Sequence, residues 1–134
     1  MNKTPYVPVT QSAFVTQPVP SRQLVDTIVE GMREKKAQDI AILDLKGLEN
    51  PVADYYVICS GRSDTQNQAI SEEVQAFTRK ELGEKPNHIE GNTFGEWILL
   101  DYIDVVVHIF LPRVRQYFDI ESLWGDADIE RYEA

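Results

Sequence analysis

Residues 95–110 read Gly-Glu-Trp-Ile-Leu-Leu-Asp-Tyr-Ile-Asp-Val-Val-Val-His-Ile-Phe. Two strand-forming runs, Glu96–Tyr102 and Asp104–Phe110, are separated by so little chain that they must pair as an antiparallel hairpin. Strand alternation places Trp97, Leu99 and Asp101 on one face and Ile98, Leu100 and Tyr102 on the other. Both faces carry large apolar groups. One face has to pack on helices. The second is either covered as well or left as an apolar surface rimmed by Asp and Glu, which is the composition of a binding hot spot. Periodicity alone leaves these two readings level.

Upstream of the hairpin, Ser21 reads as a helix N-cap. Leu24, Val25, Ile28, Val29 and Met32 follow at helical spacing, and this helix should end near Lys36. Asp39–Leu45 reads as a strand and Glu49-Asn-Pro51 as a turn. Ala53–Ser60 is a second strand, nearly all apolar, hence central and covered on both sides. Gly61 breaks it. Ser63 and Gln66 have the spacing of a capping box. The helix they open shows Ile70, Val74 and Phe77 on one face and stops at Leu82-Gly83, a glycine C-cap. Pro86–Glu90 is a short strand and Gly91-Asn92 a turn.

Downstream, Pro112 suits the first turn of a last helix. Val114, Tyr117, Phe118 and Leu123 supply its apolar side, and Gly125 ends it. The order is helix, two strands, helix, three strands, helix. It predicts an α/β (α+β) layered domain: a mixed sheet of about five strands flanked by helices. The piece from Tyr55 to Glu90 reads as a right-handed strand–helix–strand crossover. Residues 1–20, with scattered prolines and no period, read as a flexible arm. Residues 21–125 form the domain, and 126–134 an acidic, loose tail.

The 134 residues suit one domain, and its 43% apolar content is ordinary for a globular chain. The single cysteine, Cys59, lies in an apolar run and reads as a buried, inert thiol. No apolar run reaches membrane-spanning length, and no basic-then-apolar signal opens the chain, so a reducing, cytoplasmic setting is expected. The formal net charge is −9. It argues against a phosphate backbone as direct ligand and suits a basic partner. From Gln116 to Ala134 six acids face one arginine, so more than half of the excess lies in the last nineteen residues.

Enzymatic readings are weaker. Gly61-Arg62-Ser63, between a strand and a helix, has the position of a phosphate loop but too few glycines for one. Asp101 and Asp104 bracket the hairpin turn. With Asp44 they would compose the carboxylate set of a divalent-metal nucleotidyltransferase. Such a site needs basic residues for triphosphate, and none cluster nearby. Turn aspartates that cap backbone N–H groups are the commoner case. His88 and His108 are distant and lack a cysteine partner, so neither has metal-ligand spacing. No nucleophile triad is evident, and no cofactor, metal or catalytic residue is expected.

The runs Asp54-Tyr-Tyr-Val-Ile-Cys-Ser-Gly61, Glu90-Gly91, Gly95-Glu-Trp-Ile-Leu-Leu-Asp-Tyr102, Asp104-Val-Val-Val-His-Ile-Phe110 and Tyr117-Phe-Asp-Ile-Glu-Ser-Leu-Trp124 resemble the ribosomal silencing factors, the RsfS or Iojap family. The likeness runs from about Leu24 to Ala127. It implies a nucleotidyltransferase-like topology without the catalytic set, and a protein that is not an enzyme. It implies binding to the large ribosomal subunit through ribosomal protein fourteen. Joining of the small subunit would then be blocked and translation damped, notably in starvation, with a role in late large-subunit assembly. It also implies a homodimer when free. Carried over by position, Trp97, Leu99, Asp101, Tyr102 and Asp104 are the expected docking residues, with Arg115 and Tyr117 matching less specifically. Two positions depart from the family pattern. Gln66-Asn67 stands where Arg-Gln or Arg-His is usual, so no contact is carried there. Ile103 stands where the hairpin turn usually has glycine, so either the turn differs or that position needs no positive φ.

Overall fold

The computed structural model describes residues 18–132; of the expected N-terminal arm, residues 1–17 lie outside the described residues. Its framework is one mixed sheet of strands β1 (Gln38–Asp44), β2 (Tyr55–Ser60), β3 (His88–Glu90), β4 (Trp97–Asp101), β5 (Val105–Phe110) and β6 (Asp128–Tyr132). Their spatial order is β3-β4-β5-β2-β1-β6. Every neighbouring pair is antiparallel except β2 with β5, which run parallel in the middle. These two strands are the continuous apolar runs, and both are buried along almost their whole length. That is the pattern a sheet covered on both sides requires. The hairpin forms as expected, with Trp97 opposite Phe110 and Asp101 opposite Val106.

Helices α1 (Ser21–Glu34) and α2 (Asp64–Leu82) cover one side. Leu24, Val25, Ile28 and Met32 from α1 and Ile70 and Val74 from α2 bury against Ile42, Val57, Ile98, Leu100, Val107 and Ile109. A Cβ at Gly31 would lie 2.9 Å from the Val74 Cα, so glycine lets the two helices approach this closely. On the other side, α3 (Pro112–Phe118) and α4 (Ile120–Leu123) close only part of the sheet, over a smaller core of Ala41, Leu43, Leu45, Ile58, Phe110 and Ile120.

Several expectations need correction. Pro20, not Ser21, holds the N-cap position; Ser21 is already helical, and its Oγ donates to Asp54 Oδ2 at 2.9 Å. The capping box is displaced by half. Ser63 Oγ accepts from the Gln66 N–H at 3.0 Å, but Gln66 Oε1 accepts from the Arg62 N–H at 2.7 Å. The glycine cap holds, with Gly83 left-handed at φ +67°. The crossover from β2 through α2 leads to β3, which runs parallel to β2 with β5 and β4 between them. The last helix is two short ones, broken where Asp119 turns left-handed at φ +46°, a conformation aspartate tolerates. Residues 128–132 of the acidic tail are not loose. They form β6, paired along β1, which raises the strand count to six.

Candidate docking surface

Residues directly opposite one another in neighbouring strands share a face. The side away from α1 and α2 therefore carries Trp97 with Phe110, Leu99 with His108 and Ile58, and Asp101 with Val106 and Tyr56. Ile98 and Leu100 are fully buried under the long helices, whereas Trp97, Leu99 and Asp101 are only partly covered. The two hairpin faces thus differ, one closed and one half open. Aromatic rings run along the open side. Phe118 lies 4.9 Å from Trp97, Trp97 4.8 Å from Phe110, His108 4.7 Å from Tyr56 and Tyr56 6.0 Å from Trp124. Tyr117, 82% exposed, meets Phe118, 50% exposed, edge to face. Glu96, Trp97, Arg113, Val114, Tyr117 and Phe118 line a groove of about 470 Å³ there.

The Trp97 indole is tethered. Its Nε1–H donates to His108 Nδ1 at 3.0 Å. His108 is 4% exposed, and burial pushes its pKa down to about 4. The ring is neutral, and because Nδ1 accepts, its proton resides on Nε2. The Nε2 has no partner among the described residues.

The turn that joins the strands is held by its aspartates. Asp101 Oδ1 accepts the Ile103 N–H at 2.8 Å. The Asp104 N–H donates to the Tyr102 carbonyl at 3.0 Å, and the Tyr102 N–H to the Val105 carbonyl at 2.9 Å. Ile103 is enclosed by that one-residue bond at φ +76°, a tight γ-turn. The position does use positive φ, with a β-branched residue in it.

Of the residues read from the sequence, Trp97, Leu99 and Asp101 are brought together on the open side. Asp104 is exposed at the turn, and Tyr117 projects from the end of α3. Tyr102 is not among them. It is 7% exposed on the helix side, where its hydroxyl and Thr78 Oγ1 share a hydrogen bond of 2.9 Å. Burial pushes its pKa up to about 12. Arg115 is a clamp more than a contact. It donates to the Asp39 carbonyl at 2.7 Å, to Ser60 Oγ at 3.0 Å and to both Glu121 oxygens at 3.1 and 3.0 Å. Phe118 and Tyr56 were missed as residues of the open side, and His108 as the buried residue beneath it. The signal was available, because the hairpin register places Leu99 opposite His108 and Trp97 one pair further along.

The carboxylates of the enzymatic reading do not converge. Asp44 pairs with Tyr55 and so belongs to the helix side, while Asp101 pairs with Val106 on the opposite side. Asp44 Oδ1 is taken by the Lys46 N–H and Nζ at 3.0 and 3.2 Å. Among the described residues, no group of three His, Cys, Asp or Glu could hold a metal ion. Gly61 is packed, not open to a phosphate: a Cβ there would collide with Asn67 Oδ1. Cys59 is fully buried, and its thiol is pushed up to about 12, which makes it inert. Among the described residues no helix is long and apolar enough to cross a membrane.

Comparison with known proteins completes the description. The sequence model of the family described as "ribosomal silencing factor during starvation" matches residues 18–134. The ribosomal silencing factor RsfS of Bacillus subtilis is 44% identical over 96 residues, 72% of this chain and 80% of its own. A crystal structure of a Chromobacterium violaceum protein superposes with a TM-score of 0.75 at 36% identity, covering 80% of this chain and 88% of that one. A more distant mouse relative is named "mitochondrial assembly of ribosomal large subunit protein 1". It is 29% identical over 102 residues, 75% of this chain and 44% of its own.

Proposed function

This chain belongs to the ribosomal silencing factors, and we propose that it docks through the open side of its hairpin onto ribosomal protein fourteen of the large subunit. There it occupies space that the small subunit needs. Translation is repressed sterically, with no catalytic turnover, and the protein works in the cytoplasm. The observation that carries this reading is the half-covered row of Trp97, Leu99, Phe118 and Tyr117 beside the acids Glu96, Asp101 and Asp104. Large aromatic anchors supply the burial. The acids, and the net charge of −9, steer a basic ribosomal protein to them and raise the on-rate. The name of the mouse relative supports the large subunit as partner and a part in its assembly. Free protein is proposed to be a homodimer.

Sedimentation of purified subunits tests the reading. Added protein should migrate with the large subunit and reduce the peak of whole ribosomes. Whole ribosomes forming normally, with the protein left at the top of the gradient, would refute it.

A further inference from the structure

His108 is an odd choice for a packing residue. It lies in the central strand β5 with its ring 4.7 Å from Tyr56, 5.9 Å from Trp97 and 5.9 Å from Phe110, nearly parallel to the last. A phenylalanine would fill the same space without burying any polar atom. The histidine instead leaves Nε2 buried and without a partner among the described residues. A desolvated donor of that kind destabilises a core. The Trp97 N–H, by contrast, belongs to a partly exposed side chain that could find water. The core therefore carries an unmatched donor in order to provide one acceptor, Nδ1, to an indole at the surface.

An indole at a surface ordinarily samples several rotamers, and freezing it on binding weakens affinity. One fixed beforehand avoids that loss. We propose that His108 is a positioning residue of the docking surface, its unprotonated Nδ1 holding the Trp97 indole in the orientation presented to the partner. The ring acts through Trp97 and need not touch the partner. The proposal rests on the docking role of Trp97 argued above.

Two tryptophans give two indole N–H signals in nitrogen-15 spectra, and Trp124→Phe assigns them. In the unaltered protein the Trp97 N–H should exchange slowly with solvent. In His108→Phe, which keeps the ring and removes the acceptor, it should exchange quickly or broaden, while the Trp124 signal stays in place. His108→Phe should also weaken large-subunit binding by about tenfold, ~1.4 kcal/mol. It should add little in a Trp97→Ala background, because two residues acting as one unit are not additive. An unchanged Trp97 signal, or a loss of affinity that repeats in full on Trp97→Ala, overturns the proposal. If Trp97→Ala itself binds like the unaltered protein, the docking premise has failed and the proposal falls with it. If Trp97→Ala weakens binding but His108→Phe does not, only the positioning role has failed. Should His108→Phe not fold, imidazole nitrogen-15 spectra of the unaltered protein decide. Protonated Nε2 with bare Nδ1 is expected, and the opposite tautomer overturns the assignment.

Discussion

Burial of His108 should make the fold acid-sensitive in a window that a single substitution removes. The ring's pKa is ordinarily 6.5 and is pushed down to about 4, with desolvation as the cause. The folded state therefore resists a proton that the unfolded chain takes up readily. The associated stability is complete above pH 6.5 and is lost as the pH falls through 4. At about 1.4 kcal/mol per pH unit, the loss reaches about 2 kcal/mol near pH 5 and about 3 kcal/mol near pH 4. Protonation also turns Nδ1 into a donor, so the bond from Trp97 must break in the same step. Urea titrations followed by far-ultraviolet circular dichroism at pH 7.5, 6 and 5, on the unaltered protein and on His108→Phe, would isolate the effect. Carboxylates titrate in both proteins and cancel in the difference. The stability of the unaltered protein relative to His108→Phe should fall by about 2 kcal/mol between pH 7.5 and 5. Profiles that stay parallel from pH 7.5 to 5 would show that His108 is not held neutral by burial.

Other substitutions separate core from surface. Tyr102→Phe removes one half of the buried hydroxyl pair with Thr78, so it should lower the unfolding free energy by ~1 kcal/mol and leave large-subunit binding unchanged. A loss of binding without loss of stability would return Tyr102 to the docking surface. Arg115→Ala strips Glu121 of its fork and leaves only the Arg131 contact at 3.3 Å. A cost of ~3 kcal/mol is expected in urea, because a largely buried carboxylate is left short of partners. Its Arg115 bonds hold Glu121 below the usual carboxylate range, so this part of the stability is present at neutral pH and fades as the pH falls below the ordinary carboxylate value. A double-mutant cycle with Glu121→Gln should show strong coupling; simple additivity would contradict the clamp.

The parts of the fold legible in the sequence are those where burial writes a period. The central strands, helix α1 and the hairpin carry apolar spacing that marks them as elements, whereas α2 also buries Asn67, Ser71 and Thr78, which no apolar period records. Strand β6 was not legible because it buries almost nothing. It is held by backbone pairing with β1, by ion pairs to the helices (Glu130 with Arg22 of α1 at 2.7 Å and Arg131 with Glu121 of α4 at 3.3 Å), and by Tyr132 against the core. Glu130, which reads as part of a solvated tail, is a partner for Arg22 far away in sequence, and spacing along the chain carries no trace of that. The break at Asp119 was hidden because Val114, Tyr117, Phe118 and Leu123 read as one apolar side, whereas Tyr117, Phe118 and Leu123 are exposed and Ile120 is the residue that buries. For the site, alternation had already placed Tyr102 with Ile98 and Leu100. Its inclusion among docking residues came from the family motif, and the period was the better guide.

Ile103 joins these threads. A glycine there would meet φ +76° without strain, whereas a β-branched residue, 60% exposed, has little burial to compensate for it. Such a conformation persists only where its surroundings over-determine it. Here they do: Asp101 Oδ1 holds the Ile103 N–H, and the Asp104 carbonyl accepts from the Asp54 and Tyr55 N–H groups at 2.8 and 3.2 Å, tying the turn to the start of β2. These bonds hold the turn and with it the register of the hairpin. That register places Leu99 opposite His108 and Trp97 opposite Phe110, which brings the indole within reach of Nδ1. The Asp101 carboxylate and the Asp104 main chain thereby set the strand alignment from which the orientation of Trp97 follows.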